Sequence, residues 1–383
     1  MQISVVRPDE LESGDISAWH TMQRSTGPLA NPFLCPEFAI AVSRVRPAAR
    51  VAVLHEGPSL LGFFPFERRG LGVGTPIAAE LTDCQGLIHA PGAEWDPREL
   101  LRACRIPVWQ FNHLVAGQRP FEAYRAAVLP SPTIDLAAGF NSYFQNLRAA
   151  SPRFCAGLAR RTRNLQRDSG EIRFDVDSSD TSALRLLMVW KSAQYRRTGR
   201  PDRFSQRWIV ELLESLHGDR GSGFSGMLSV LYAGDVRVAV NFSLRFDWML
   251  AGWFMAYDPA FSRHSPGLIQ LLRLAEGSAA LGIRLIDMGK GANWYKDKMK
   301  SGQILVGEGV VTRRSPAAGL HWASIASSQW AIRTIRRHPP LFHAADWVLR
   351  RYGRVRSRRV PWSATLSCPE TGRQGLGGIR HLA

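Results

Sequence analysis

A chain of 383 residues, 45% of them hydrophobic, is long enough for two ordinary domains and apolar enough to bury their cores, which excludes a wholly disordered protein. Its five cysteines form no C-x-x-C pair, which excludes a zinc ribbon and a dithiol redox motif, and an odd, scattered set fits a reducing compartment better than a disulfide framework. The net charge of +17 is uneven: residues 311–383 hold thirteen Arg, no Lys and two acids, and the stretch 148–167 holds six Arg and no acid.

Residues 1–132 read as a mixed α/β unit. Apolar periodicity predicts short helices over 16–23 and 36–45, then strands over 50–55 and 60–68 joined at Glu56-Gly57-Pro58-Ser59. A helix over 100–104 and a strand over 108–114 follow, and Pro130-Ser131-Pro132 reads as a break. Residues 133–315 form the second unit. It opens with an Arg-rich helical stretch over 140–168 and a strand over 171–176. Ser179 or Asp180 caps a helix running to 197, and another helix spans 205–217. Strands over 225–232, 237–246 and 248–257 come next, the first two joined at Ala233-Gly234-Asp235. A helix begins at Ser265-Pro266, since Pro suits the first helical position, and Gly282 ends it. Strands over 284–288 and 304–312 close the unit. This order, a three-strand meander and then one helix and a strand, is not doubly wound; it fits an α/β protein of the α+β kind, a mixed sheet with helices on both faces.

Residues 316–365 read as a basic, aromatic helical tail that either lies on a membrane surface or packs on the domain. Residues 366–383 read as disordered. The N-terminus shows no signal-peptide pattern and no stretch is long enough to span a bilayer, so the expected location is the cytoplasm, with possible contact with the inner membrane through the tail.

Several common chemistries are absent. Gly70-Leu71-Gly72-Val73-Gly74-Thr75 lacks the third glycine of a dinucleotide fingerprint and no clear helix follows it. There is no P-loop, no H-E-x-x-H, no G-x-S-x-G, and no metal-ligand spacing among His and Cys, so no metal is expected. Two segments remain. The first joins a strand to a helix at Tyr257-Asp258 and then Arg263-His264-Ser265-Pro266-Gly267-Leu268. A helix start presents free amides and a positive dipole to a phosphate, and Arg263 would add a charged contact; an ordinary strand-to-helix loop has the same composition. The second is Asp287-Met288-Gly289-Lys290-Gly291, closed by Trp294-Tyr295-Lys296. Tyr295 suits protonation of a leaving thiolate and Asp287 suits a proton acceptor, against the alternative of a solvated turn capped by Asp. The chain uses 44 Arg and only 5 Lys, yet Lys290, Lys296, Lys298 and Lys300 cluster here, and Lys differs from Arg in being a compact charge that burial can deprotonate.

These two segments, with Trp190, Arg196 and Gly199, the 228–239 hairpin, Trp19, Asn31-Pro32-Phe33-Leu34-Cys35-Pro36-Glu37-Phe38 and Leu61-Gly62-Phe63-Phe64-Pro65-Phe66, resemble the CelD-like (cellulose-biosynthesis-associated) acetyltransferases of the GNAT superfamily. The likeness covers about residues 10–312. It implies a tandem GNAT-like fold of two acetyltransferase-like halves, with residues 133–315 catalytic. It implies acetyl-CoA as acyl donor and a small-molecule or saccharide acceptor. The backbone of Phe254, Met255, Ala256 and Tyr257 would meet the pantetheine arm, and Arg263, His264, Ser265, Gly267 and Leu268 would meet the pyrophosphate. Aligning Gly267 with the first glycine of the superfamily's phosphate loop puts His264 at the basic position and Ile269 at the last small one. Tyr295, Asp287 and Lys296 would form the catalytic group, and Trp190, Arg196, Asp258 and Trp294 the acceptor site. The same two-lobed arrangement occurs in Fem-type transferases that use aminoacyl-tRNA, for which the basic patches would suit the nucleic acid. A non-catalytic scaffold in exopolysaccharide assembly is a third reading.

Overall fold

A computed structural model describes residues 1–219, 221, 223–291 and 293–313. The helical tail expected over 316–365 and the disorder expected over 366–383 lie outside the described residues.

The first half runs β1 (Gln2–Val6), α1 (Ser13–Ser25), α2 (Pro36–Val45), β2 (Ala49–Glu56), β3 (Ser59–Arg68), β4 (Gly74–Pro76), β5 (Ile88–His89), α3 (Pro97–Ala103), β6 (Val108–Leu114) and β7 (Arg125–Asp135). The second runs α4 (Gly139–Ala150), α5 (Pro152–Ser169), β8 (Ile172–Asp175), α6 (Thr181–Arg197), α7 (Arg207–Gly218), β9 (Phe224–Ala233), β10 (Val236–Phe246), β11 (Met249–Tyr257), α8 (Pro266–Ala280), β12 (Leu285–Asp287), α9 (Trp294–Met299) and β13 (Gly302–Thr312).

The strands make one mixed sheet in the order β1-β2-β3-β4-β6-β13-β7-β12-β11-β10-β9-β8, with β5 paired to β3. Among the strands of the described residues, only β4/β6 and β11/β12 pair in parallel. Each half therefore repeats one plan, an antiparallel hairpin, then a strand, a helix and a parallel partner. One apolar core on one face gathers α1, α2, α6 and α7 side chains, among them Trp19, Phe38, Leu187 and Leu212. On the opposite face of the second half, a separate core gathers Leu147, Leu158, Leu268 and Leu274 from α4, α5 and α8.

The structure corrects three expectations. The stretch over 140–168 is two helices, because Pro152 cannot donate within a helix and instead starts α5. A short helix, α9, occupies what read as a loop. Pro130-Ser131-Pro132 is no break: all three lie inside β7, paired to Leu305, Ile304 and Gln303 of β13. The carbonyl of Pro132 accepts the Met288 amide on the other side, so the proline faces away from β13 and its missing N–H costs no bond to that strand.

Candidate active site

The second half opens where β11 and β12 part. They pair only from Met249↔Leu285 to Ala251↔Asp287. Beyond that, residues 252–257 pair with β10 on one side and, among the described residues, with no strand on the other. A register shift between Phe242 and Ser243 leaves Trp253 as the extra residue of a β-bulge at the point of parting. On β12, the Asp287 carboxylate takes the Gly289 amide at 2.9 Å, and the left-handed Gly289 (φ 78°) turns the chain away.

A cavity of about 660 Å³ fills this gap, within the size range of ligand sites. Its lining comes from both faces of the sheet, and the two sides differ. The α8 side is largely apolar, with Met255, Tyr257, Gly267, Leu268, Leu271 and Leu274. A Cβ at Gly267 would stand 3.5 Å from Met255 and 3.6 Å from Tyr257, ordinary contact distances, so a side chain reaching beyond Cβ there would extend into the space between α8 and β11. The helix start beside it carries no side-chain cap, and Ser265 there is left-handed (φ 53°). The α6 side is charged: Lys191, Gln194 and Arg200 meet Asp83, Asp287, Lys290 and Lys296.

Burial raises the Asp287 carboxyl above its ordinary range, opposed by hydrogen bonds from Ser131 Oγ at 2.6 Å and the Gly289 amide. Burial lowers the Lys296 ammonium while Asp287 and Asp83 pull it back; its Nζ donates to the Gly289 carbonyl at 2.7 Å. Lys290 bridges the Asn112 carbonyl and Glu308, each at 2.5 Å. Tyr295 packs against the α8-side core, and burial raises its phenol. Trp294 is 61% exposed at the mouth, its ring edge-on to Phe154 of α5.

The structure thus brings together Tyr295, Asp287, Lys296, Trp294, Phe254, Met255, Tyr257, Ser265, Gly267 and Leu268. Others expected there stand elsewhere. Arg263 turns to Asp168 at 3.1 Å, and the buried His264 ring lies 3.5 Å from the same carboxylate, so neither basic side chain faces the cavity. Ala256 points into the core on the α6 side and offers only its backbone. Asp258 caps the turn after β11 by accepting the Ala260 amide at 2.9 Å. Trp190 and Arg196 are out of phase: residues three apart share a helix face, and on α6 that face carries Lys191 and Gln194.

Two residues were missed. Lys191, the one lysine outside the cluster, donates to the Met255 carbonyl at 3.0 Å, and burial, reinforced by Arg200 and Arg203, lowers its ammonium to about 8. Its sequence signal was its rarity as Lys in an Arg-rich chain. Asp83, from the first half, had no local signal. Burial, and then the charge of Asp287, raise its carboxyl to about 7.

Comparison with known proteins agrees with this geometry. Residues 153–297 match the family model described as acetyltransferase (GNAT) domain. The second half carries a GNAT acetyltransferase domain. No curated protein matches the chain. Among solved structures, FemX superposes with a TM-score of 0.51 at 8% identity, covering 81% of this chain and 96% of its own. A tandem GNAT protein from the clavulanic acid biosynthesis pathway gives 0.46 at 12% identity, covering 81% and 98%. A GNAT-family acetyltransferase from Colwellia psychrerythraea gives 0.43 at 11%, covering 81% and 100%. The likeness to FemX shows the fold alone, a large mixed sheet with helices on both faces, and the domain matched over residues 153–297 is that of an acyltransferase.

Proposed function

We propose that the chain transfers an acetyl or other acyl group from acyl-CoA to an amine or hydroxyl of a sugar, polysaccharide or cell-envelope precursor, in the manner of the CelD-like acetyltransferases it resembles. Residues 133–315 carry the chemistry and residues 1–132 complete the acceptor side, in the cytoplasm. The observation that carries this reading is the cavity through the parted strands, apolar on the α8 side and charged on the α6 side. The backbone edge over 252–257, without a strand partner among the described residues and with its Met255 carbonyl taken by Lys191, suits the amides of a pantetheine arm, and the uncapped α8 start suits its pyrophosphate. The equivalent helix start in the first half is already taken, since the Asp96 carboxylate accepts the Arg98 and Glu99 amides. That supports one donor site, in the second half.

Transfer is direct. The acceptor attacks the thioester carbonyl while held in line with it. Asp287 helps organise the charged side, and Tyr295, on the apolar side where the sulfur would lie, protonates the leaving thiolate. Lys296 stabilises the site or an anionic acceptor.

Calorimetric titration with acetyl-CoA tests the donor. Wild-type protein is expected to bind it, and Gly267→Glu, which puts a carboxylate beside Met255 and Tyr257, is expected to abolish binding with the fold intact. A second reading, aminoacyl-tRNA as donor, is favoured by the place of α5. Its Arg153, Arg160, Arg163 and Arg167 are exposed, and its Phe154 touches Trp294 at the cavity mouth. Absence of acetyl-CoA binding by the wild type would transfer the case to that donor.

A further inference from the structure

Asp83 sits on a pinned loop, yet its own side chain is free. The Leu81 carbonyl accepts Trp253 Nε1 at 2.9 Å, Thr82 Oγ1 donates to the Ile77 carbonyl, and the Thr82 carbonyl accepts Gln85 Nε2 at 3.0 Å. The Asp83 carboxylate has no hydrogen bond among the described residues. The nearest ring nitrogen, His113 Nε2, is 3.6 Å away, and burial beside Lys290 and Lys296 lowers that imidazole to about 3, so it is neutral. Asp287 differs: its Oδ1 already takes both Ser131 and Gly289. Of the two carboxylates lining the cavity, Asp83 is the one that accepts no hydrogen bond on either oxygen among the described residues, and Asp287 is the one tied to its own strand and turn. Across the cavity, Gln194 holds a buried side-chain oxygen that lacks a partner among the described residues, an acceptor awaiting an N–H.

We propose that Asp83 is the base on the acceptor side and that the acceptor is a primary amine, its N–H groups shared between Asp83 and Gln194. This rests on the acyl-transfer reading. The acceptor ammonium gives one proton to the Asp83 carboxylate. The neutral nitrogen attacks the thioester carbonyl, a C–N bond forms and the C–S bond breaks. The departing sulfur takes the Tyr295 proton, and the second proton from nitrogen restores the phenol. Asp83 returns its proton to solvent, so amide, free thiol and one proton are the products.

Proton affinity and the number of donors favour an amine over a hydroxyl. The carboxyl at about 7 faces Asp287, His113, Lys290, Lys296, Arg203 and Tyr195, with Asp287 raising it and Arg203, Lys296 and Lys290 holding it down. An alkyl ammonium near ~10 lies within a few pH units of such a base, and it carries N–H donors for both Asp83 and Gln194, where a hydroxyl has a single O–H to give.

The test uses the full chain, acetyl-CoA and matched acceptors, a panel of primary amino sugars and amino acids beside their hydroxyl counterparts. Thiol release is followed from about pH 5.5 to 9, and acetyl-CoA binding is measured in parallel. Amines are expected to react and their hydroxyl counterparts not. The wild-type rate is expected to rise through a limb near 7. Asp83→Asn is expected to lose that limb and roughly 10²–10⁴-fold in rate while binding acetyl-CoA normally; Asp83→Glu is expected to keep a limb. An Asp83→Asn enzyme within about threefold of wild type, a wild-type rate flat across that range, or hydroxyls reacting as well as amines would each overturn the proposal, as would bound acetyl-CoA with no amine acetylated. The wild-type profile and Asp83→Glu decide the matter should Asp83→Asn not fold. Failure to bind acetyl-CoA strikes the donor reading instead.

Discussion

At the scale of single residues, the cavity separates two proton tasks by the face on which each side chain packs. Tyr295 belongs to the core on the α8 side, where burial keeps its phenol protonated. The two carboxylates stand on the charged side. A thiolate leaving toward α8 meets a proton donor there, and an acceptor arriving from α6 meets a base. Replacing Tyr295 with Phe removes the donor and leaves the apolar contact. The expected result is a kcat lowered roughly 10²-fold with acetyl-CoA affinity unchanged, read by single-turnover thiol release beside calorimetry. An unchanged kcat would free Tyr295 of that role. Much of this site was legible because its parts are neighbours in the chain: Asp287, Lys290, Trp294, Tyr295 and Lys296 fall within one turn and one helix. The cluster of lysines signalled it, though Lys300 spends its charge on Asp297 at 2.9 Å, away from the cavity. Asp83 was illegible because its contact is made more than two hundred residues away.

At the scale of elements, the parting of β11 from β12 is set by a bulge on one strand and a turn on the other. Trp253 is the bulged residue, and its indole reaches across to the Leu81 carbonyl, two residues from Asp83. The same irregularity that ends donor-side pairing therefore anchors the acceptor-side carboxylate. Trp253→Phe keeps an aromatic ring against Phe33, Phe38 and Phe254 but loses that bond. It should cost about 1 kcal/mol of stability and lower turnover while leaving acetyl-CoA affinity intact. Equal losses in affinity and turnover would mean that the bulge itself had collapsed. The meander over β9, β10 and β11, the Pro266 start of α8 and the glycine turn after β12 were readable, since each is governed by local chemistry. The bulge was not, because it shows only when β10 is laid beside β11. On α6 the resemblance pointed to Trp190 and Arg196, whereas Lys191 and Gln194 line the cavity; a family likeness marks a helix without showing which of its faces the fold turns inward.

At the scale of the whole molecule, the two halves share strands. β13, last in the described chain, lies between β6 and β7, and β7 in turn pairs with β12 beside the cavity. Reading Pro130-Ser131-Pro132 as a break missed this, because proline punctuates a sequence wherever it falls and only the pairing shows that its bare side faces away from β13. Cutting the chain near residue 132 would strip β13 of β6 and of most of β7, leaving two unpaired edges in the middle of the sheet. Core side chains cross the join as well: Phe33 and Phe38 from the first half pack on Trp253 from the second. Neither half can then lose its structure without exposing the other. The expected behaviour is a single cooperative unfolding transition in urea, with tryptophan fluorescence and far-ultraviolet dichroism giving the same midpoint, although two domain-sized halves usually unfold separately. Tryptophans in both halves, Trp19 and Trp109 in one and Trp208 and Trp253 in the other, make fluorescence sensitive to either. Two separated midpoints would show that β13 is an accessory strand and that the acceptor wall bearing Asp83 can come apart from the donor site without unfolding it.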